Sequence, residues 1–149
     1  GITDDKQYRD RAFSRDRVAE CLKLVNLSPD VAKRMPSALS GGMKKRVGIA
    51  RAIAGKPTYI LYDEPTSGLD PVNADSMDAL IEQLQHELNV TSVVVSHDVR
   101  GSFKVADRIA LLKGGRIRKI GTAEEFLASD DRDVREFLDR DFQLLGTGH

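Results

Sequence analysis

The sequence predicts an α/β fold of parallel core strands with flanking helices and a C-terminal β-hairpin. Three features carry this expectation: an apolar run at residues 59 to 62 and a β-branched run at 91 to 96, both of strand length, an amphipathic helical pattern between them, and a Gly114-Gly115 pair joining two strand-like runs near the end. At 149 residues and 40% hydrophobic content the chain has the material for a single domain, 1–149, with a core of ordinary size. Lys and Arg number 23, as do Asp and Glu, so no global field draws the chain to nucleic acid or to an acidic membrane surface. The single Cys21 allows no internal disulfide framework and fits a reducing compartment, with the cytosol as the default. No apolar stretch approaches the ~20 residues that cross a bilayer. The start, Gly1-Ile2-Thr3-Asp4-Asp5-Lys6, has neither the apolar core nor the basic flank of a signal peptide, and Gly1 in place of methionine suggests a cut or tagged chain.

Taken in order, residues 4 to 17 are rich in Asp, Arg and Lys, a composition for a solvated helix or frayed end that contributes little core. From Val18 onward Cys21, Leu22, Leu24, Val25 and Leu27 follow helical spacing, and Ser28-Pro29 offers a cap followed by proline at the first helical position. After Gly41-Gly42, the stripe Val47, Ala50, Ile53 and Ala54 defines a helix, with Lys44, Lys45, Arg46 and Arg51 mostly off it, ending at Gly55-Lys56-Pro57. Residues 59 to 62 read as a strand buried on both faces that delivers Asp63-Glu64 at its C-terminal end. Asp70-Pro71 caps an amphipathic helix carrying Val72, Met77, Leu80, Ile81, Leu84 and Leu88. A β-branched strand at 91 to 96 ends just before His97-Asp98, the end where open α/β sheets place ligands. A short helix at 99 to 105 precedes the hairpin, whose Arg116-Ile117-Arg118-Lys119 run alternates as a half-exposed strand does. Thr122-Ala123-Glu124-Glu125 is a capping box, and Val134, Phe137 and Leu138 mark a last short helix before the tail Gly146-Thr147-Gly148-His149, which has a flexible composition. His86 and His149 read as surface residues.

Three clusters have chemistry in them. An acidic residue at the end of a buried strand can hold Mg²⁺ through water while its neighbour polarises an attacking water, which gives Asp63 the first role and Glu64 the second. Alone, the pair would more often be a turn or a helix cap. Ser40-Gly41-Gly42 at a helix mouth exposes backbone N–H groups and the positive dipole end with no side chain in the way of an anion, although an isolated run of this kind would more often be a simple cap. His97 alone would most often be a structural histidine at a strand end; following this strand, it is placed to sense a phosphate.

Together, Leu39-Ser40-Gly41-Gly42-Met43, residues 59 to 63 with Glu64, Ser67-Gly68-Leu69-Asp70 and His97 resemble, in order and spacing, the signature, Walker B strand, catalytic glutamate, D-loop and switch histidine of the ATP-binding-cassette (ABC) transporter ATPases. The resemblance implies ATP with Mg²⁺ as cofactors, Asp63 as the residue holding Mg²⁺ through water, and Glu64 and His97 as the catalytic pair. It also implies that Ser40, Gly41 and Gly42 grip the nucleotide of an opposing subunit and that Asp70 makes a D-loop contact across the dimer. The partners it implies are a second ATPase subunit and transmembrane permease subunits, with the protein peripheral on the cytoplasmic face of the inner (plasma) membrane and no nucleic-acid partner. Ser96-His97-Asp98-Val99, Lys44-Lys45-Arg46 and Val134-Arg135-Glu136-Phe137-Leu138 look like the subgroup that serves Mla-type phospholipid (toluene-tolerance) transporters. In family terms the chain resembles a partial P-loop NTPase, with a helical subdomain over about 1–56, the remaining catalytic core over about 57–121 and C-terminal helices and tail over about 122–149.

The phosphate cradle of such an enzyme is not in this sequence. No G-x-x-x-x-G-K-[ST] run occurs, and the one Gly-Lys pair, Gly55-Lys56, is followed by Pro57. Because phosphoryl transfer is catalysed chiefly by positioning and charge stabilisation, the chain alone is expected to hydrolyse ATP negligibly and to bind ATP weakly or not at all, with no resident Mg²⁺. The resemblance further implies that the missing segment leaves a strand edge unpaired, so either a rearranged sheet or self-association through that edge is expected. A non-catalytic module lending its signature and D-loop in trans to another ATPase is the alternative of a different class. A chromosome-maintenance ATPase lobe is a third reading, but it would be preceded by coiled coil, and residues 1–38 show no sustained heptads.

Overall fold

A computed structural model describes the backbone of residues 11–143 and side chains over 15–139. The expectations for residues 4 to 10, the glycine-containing tail and His149 lie outside the described residues. The chain divides into two compact units, Gly1–Val95 and Ser96–His149.

In the first unit, helix α1 (Arg11–Leu24) leads through 3₁₀ turns at Pro29–Lys33 and Pro36–Ala38 to helix α2 (Gly41–Ala54). Strand β1 (Tyr59–Asp63), helix α3 (Pro71–Leu88) and strand β2 (Thr91–Val95) follow. The two strands are parallel in the register Tyr59↔Thr91 through Asp63↔Val95, with α3 as the crossover between them. Ser28 caps the first 3₁₀ turn by accepting the Asp30 N–H at 3.3 Å, with Pro29 in the position where a missing N–H costs nothing. The core joins Cys21, Leu22 and Val25 of α1 and its exit to Ile49 and Ile53 of α2, Ile60 and Tyr62 of β1, and Met77, Leu80, Ile81 and Leu84 of α3. Burial pushes the Cys21 thiol above its usual pKa and makes it a packing residue.

Three expectations change here. The segment ending at residue 17 does contribute to the interior: Arg17 is 7% exposed and donates to the Ile53 carbonyl at 2.7 Å and the Ala54 carbonyl at 3.2 Å, closing the C-terminus of α2. Strand β1 is covered on one face only, with Ile60 at 4% and Leu61 at 78% exposure, because the helices pack on the Ile60–Tyr62 side and no described residue covers the other. Val72 is 78% exposed. Five residues before Met77, it sits about 140° around the helix from the buried stripe.

In the second unit, helix α4 (Val99–Val105) precedes the antiparallel hairpin of β3 (Ile109–Lys113) and β4 (Arg116–Gly121). The turn uses Gly114 at φ 60° and Gly115 at φ 72°, the conformation that makes glycine the residue of choice there. Helices α5 (Ala123–Leu127) and α6 (Arg132–Gln143) complete it. The expected capping box is present: the Thr122 hydroxyl accepts the Glu125 N–H at 3.3 Å and the Glu125 carboxylate accepts the Thr122 N–H at 2.9 Å. Val99, Leu111, Phe126, Val134 and Leu138 form a second, smaller core. Phe103 meets Phe126 edge-on at a centroid distance of 6.1 Å. Among the described residues β2 pairs with β1 alone and β3 with β4 alone.

Candidate functional site

The glycine turn opens a helix. Ser40 has extended backbone angles, and its hydroxyl accepts the Met43 N–H at 3.2 Å, satisfying one of the donors that the first turn of α2 leaves without a helical partner. Ser40 and Gly41 are exposed and Gly42 is half-buried. A Cβ on Gly41 would meet nothing within 4 Å, and one on Gly42 would only touch Leu69 Cδ2 at an ordinary 3.9 Å. The chain's own packing therefore does not require either glycine, and the helix mouth is open to an approaching group.

The same unit holds the acidic pair. Asp63, the last residue of β1, is exposed on the face it shares with Tyr59 and Leu61, and Glu64 is half-buried immediately beyond. Glu64 has φ 48°, a left-handed conformation that is sterically disfavoured for a residue with a Cβ. Its N–H donates to the Val95 carbonyl at 2.8 Å, and its carbonyl accepts the Ser67 N–H at 3.2 Å and the Lys45 ammonium at 3.1 Å. The turn then reverses through Gly68, at φ 72°, to Asp70, whose Oδ1 accepts the Asn73 N–H at 3.1 Å as the cap of α3. Hydrogen bonds from the Asn73 side-chain amide and backbone hold the Asp70 carboxyl below its usual pKa.

His97 belongs to the second unit, where it is exposed between two residues that build a local turn. The Ser96 hydroxyl accepts the Asp98 N–H at 3.0 Å, and Asp98 caps α4 by accepting the Gly101 N–H at 3.1 Å. Ser40–Gly42, Asp63, Glu64 and Asp70 thus lie in one unit and His97 in the other. Among the described residues no group of three or more His, Cys, Asp or Glu side chains could hold a metal ion. The exposed Asp63 carboxylate at the end of β1 can offer a single oxygen to a hard cation that takes its other ligands from water and phosphate, and the unobstructed first turn of α2 offers N–H donors to an anion.

Sequence reasoning missed the basic residues that tie these parts together. Lys45 and Arg46, read as lying off the packed stripe, are half-buried and engaged. Arg46 donates to the Val25 carbonyl at 3.0 Å and to the Ser76 hydroxyl at 2.8 Å, joining α2 to the exit of α1 and to α3. A usable signal was the density of cations within one turn of a glycine-headed helix, where carbonyls rather than carboxylates are the partners.

The ABC transporter family profile matches residues 3–67. The glycine betaine/carnitine/choline transport ATP-binding protein OpuCA of Bacillus subtilis is 42% identical over 128 residues, which are 85% of this chain and 34% of that protein. The methionine import ATP-binding protein MetN of Nocardia farcinica is 45% identical over 130 residues, 87% of this chain and 39% of that protein. Among solved structures, the dimeric ATP-binding cassette MJ0796 bound to ADP and Pi superposes with a TM-score of 0.67 at 37% identity, covering 76% of this chain and 49% of that one. The ADP conformation of the cassette MJ1267 gives 0.72 at 25% identity, covering 83% and 48%. The chain therefore spans about half of the cassettes and little more than a third of the relatives it matches. By this kinship, and by an α/β fold that matches cassette structures, the chain belongs to the ABC transporter ATPases.

Proposed function

We propose that this chain supplies the signature, acidic pair, D-loop and switch histidine of an ABC transporter's ATP-binding subunit, which couples ATP hydrolysis to transport through separate permease subunits. The observation that carries the reading is the placement of an open glycine helix mouth and the Asp63–Glu64 turn in one unit, bridged by Lys45. Bound Mg²⁺ would supply charge neutralisation on the β- and γ-phosphates. Asp63 would hold it through water; Glu64 would orient and polarise the attacking water; an imidazole N–H of His97 would donate to the γ-phosphate. The Ser40 hydroxyl with the Gly41 and Gly42 N–H groups would grip the phosphates of a second subunit's nucleotide, and Asp70 would contact that subunit. The dimeric MJ0796 cassette supports the paired arrangement.

No described helix is long and apolar enough to cross a membrane; the kinship with ABC transport ATP-binding proteins is what supports a subunit docked peripherally on the cytoplasmic face against permease chains. The names of the relatives, import proteins for methionine and transport proteins for glycine betaine, carnitine and choline, favour a small polar solute as cargo. The phospholipid reading is supported only by the short runs at residues 44–46, 96–99 and 134–138.

The 149 residues contain no phosphate-cradling loop, so the chain alone should bind Mg-ATP weakly and turn none over. Titration with Mg-ATP to millimolar concentration, followed by amide NMR, tests both points. Shifts confined to Gly41, Gly42 and the Asp63–Glu64 turn are expected, and their absence would overturn the site assignment. Low-micromolar affinity, or turnover that disappears in Glu64→Gln, would overturn the incapacity of the chain by itself. The second reading, a module acting in trans, is favoured by the same lack of a cradle; stimulation of a cradle-bearing ATPase by both wild type and Glu64→Gln would select it. Tyr59, Leu61, Val93 and Val95 form an exposed apolar face beside an edge of β2 that no described strand pairs, so self-association is expected by light scattering, reduced in Leu61→Asp.

A further inference from the structure

We infer that Lys45 is a positioning residue that transmits the state of the glycine helix mouth to Glu64, an inference that rests on the site reading above. Lys45 stands one helical turn beyond Gly41, and its ammonium reaches across to the backbone carbonyl of Glu64 at 3.1 Å. The acceptor is notable for its conformation: Glu64 holds φ 48°, and the following Pro65 restricts it further by disfavouring the right-handed helical region. A residue held in a sparsely populated conformation persists only where its surroundings fix it. Three of the hydrogen bonds that contribute to this run from the Glu64 N–H to Val95 and from Ser67 and Lys45 to the Glu64 carbonyl. Two of the three are backbone bonds of β2 and of the turn itself. The third is the only one of these contributed by α2, and it is a charge-assisted bond, stronger than a neutral one.

A half-buried lysine usually finds a carboxylate; this one spends its charge on a carbonyl whose peptide plane sets the direction of the Glu64 side chain. A shift of the first turn of α2 on gripping phosphate moves Lys45 with it, because a helical turn is rigid on the scale of an ångström. The Glu64 peptide then follows. Lys45 touches no reacting atom, and its effect on chemistry passes through Glu64.

Amide hydrogen exchange on the ¹⁵N-labelled chain tests the link without nucleotide. Lys45→Met keeps the volume and removes the donor; Lys45→Arg keeps the donor. Exchange at the Ser67 and Glu64 amides should accelerate roughly tenfold in Lys45→Met, the scale of one charge-assisted bond, with α1 and α3 amides unchanged and near-wild-type rates restored in Lys45→Arg. Unchanged exchange, acceleration spread evenly through the unit, or failure of Lys45→Arg to rescue would each overturn the inference. With Mg-ATP present, the shift at the Glu64 amide should vanish in Lys45→Met while those at Gly41 and Gly42 persist; a Glu64 shift that survives removal of the donor would refute the transmission. Silent Gly41 and Gly42 amides in the wild type would instead sink the site reading and with it the transmission, and the exchange result would then report on the strap alone.

Discussion

The two strand pairs of this molecule are built from opposite kinds of information. The β3–β4 hairpin is specified locally: its thirteen residues pair antiparallel with one register break at Leu111/Leu112 around a Gly-Gly turn with both residues at positive φ, and a capping box follows immediately. The parallel β1–β2 pair is joined by an 18-residue helix and has no local device that sets its register. What fixes it is the buried side, where Ile60 and Tyr62 join Met77, Leu80 and Leu84. Its other side shows Tyr59 at 65%, Leu61 at 78%, Val93 at 50% and Val95 at 58% exposure. Parallel sheets are ordinarily covered on both faces, so the difference teaches that local chemistry completes a hairpin while a parallel pair is complete only with its covering layers.

The largest expected effects come from breaking the core under each pair. Leu84 and Phe126 are both fully buried, one in each core. Phe126→Ala should cost about 3–5 kcal/mol and Leu84→Ala about 2–5 kcal/mol in urea denaturation followed by circular dichroism. The comparison sharpens if the exchange pattern differs: Phe126→Ala should expose amides of the whole hairpin, and Leu84→Ala those of β1 and β2. Equal protection loss throughout β1–β4 in either variant would break the division between local and long-range specification.

A smaller effect is expected at the turn. A Cβ on Gly115 would meet nothing within 4 Å, so any penalty there is purely conformational. Gly115→Val places a β-branched residue at φ 72° and should destabilise the hairpin by about 1–2 kcal/mol, whereas glycine is dispensable where φ is ordinary. A Gly115→Asn variant, which tolerates the left-handed region, should recover most of the loss. If Val and Asn behave alike, the turn is not what specifies the hairpin.

These particulars also show how much was legible in advance. Ser40, Asp70 and Thr122 were readable as caps because a cap needs only its own next three residues. The placement of Asp63–Glu64 at a strand end was readable for the same reason. The one-sided burial of β1 was not, since four consecutive apolar residues look alike whether one face or both are covered. Arg17 was misread because its partners, the carbonyls of Ile53 and Ala54, lie 36 and 37 residues away, and a carbonyl at a helix end leaves no mark in the sequence. Lys45 escaped notice by the same mechanism, and the left-handed backbone of Glu64 has no compositional signature at all.

The smallest expected effect separates the hairpin's specification from its decoration. Lys113, at the end of β3, donates to Asp133 and to Glu136 at 2.8 Å each, and Arg118 of β4 approaches Asp133 at 3.4 Å. Hydrogen bonds to Asp133 and Glu136 hold the Lys113 ammonium above its usual pKa, and the bond from Lys113 holds the Asp133 carboxyl below its own. The signs give a window. A depressed carboxyl stabilises above its unfolded value of about 4 and loses that contribution as pH falls through the lower folded value, while a raised lysine stabilises below its unfolded value of about 10.4 and loses it as pH rises through the higher folded value. The difference in urea midpoint between wild type and Lys113→Met should therefore be flat between these limits and shrink outside both. All three groups are partly or largely solvated, so the plateau should be slight and should fall further in molar salt. A difference that rivals that of Gly115→Val, or that persists at pH about 2, would mean that ion pairing to α6, and not the glycine turn, decides where the hairpin forms.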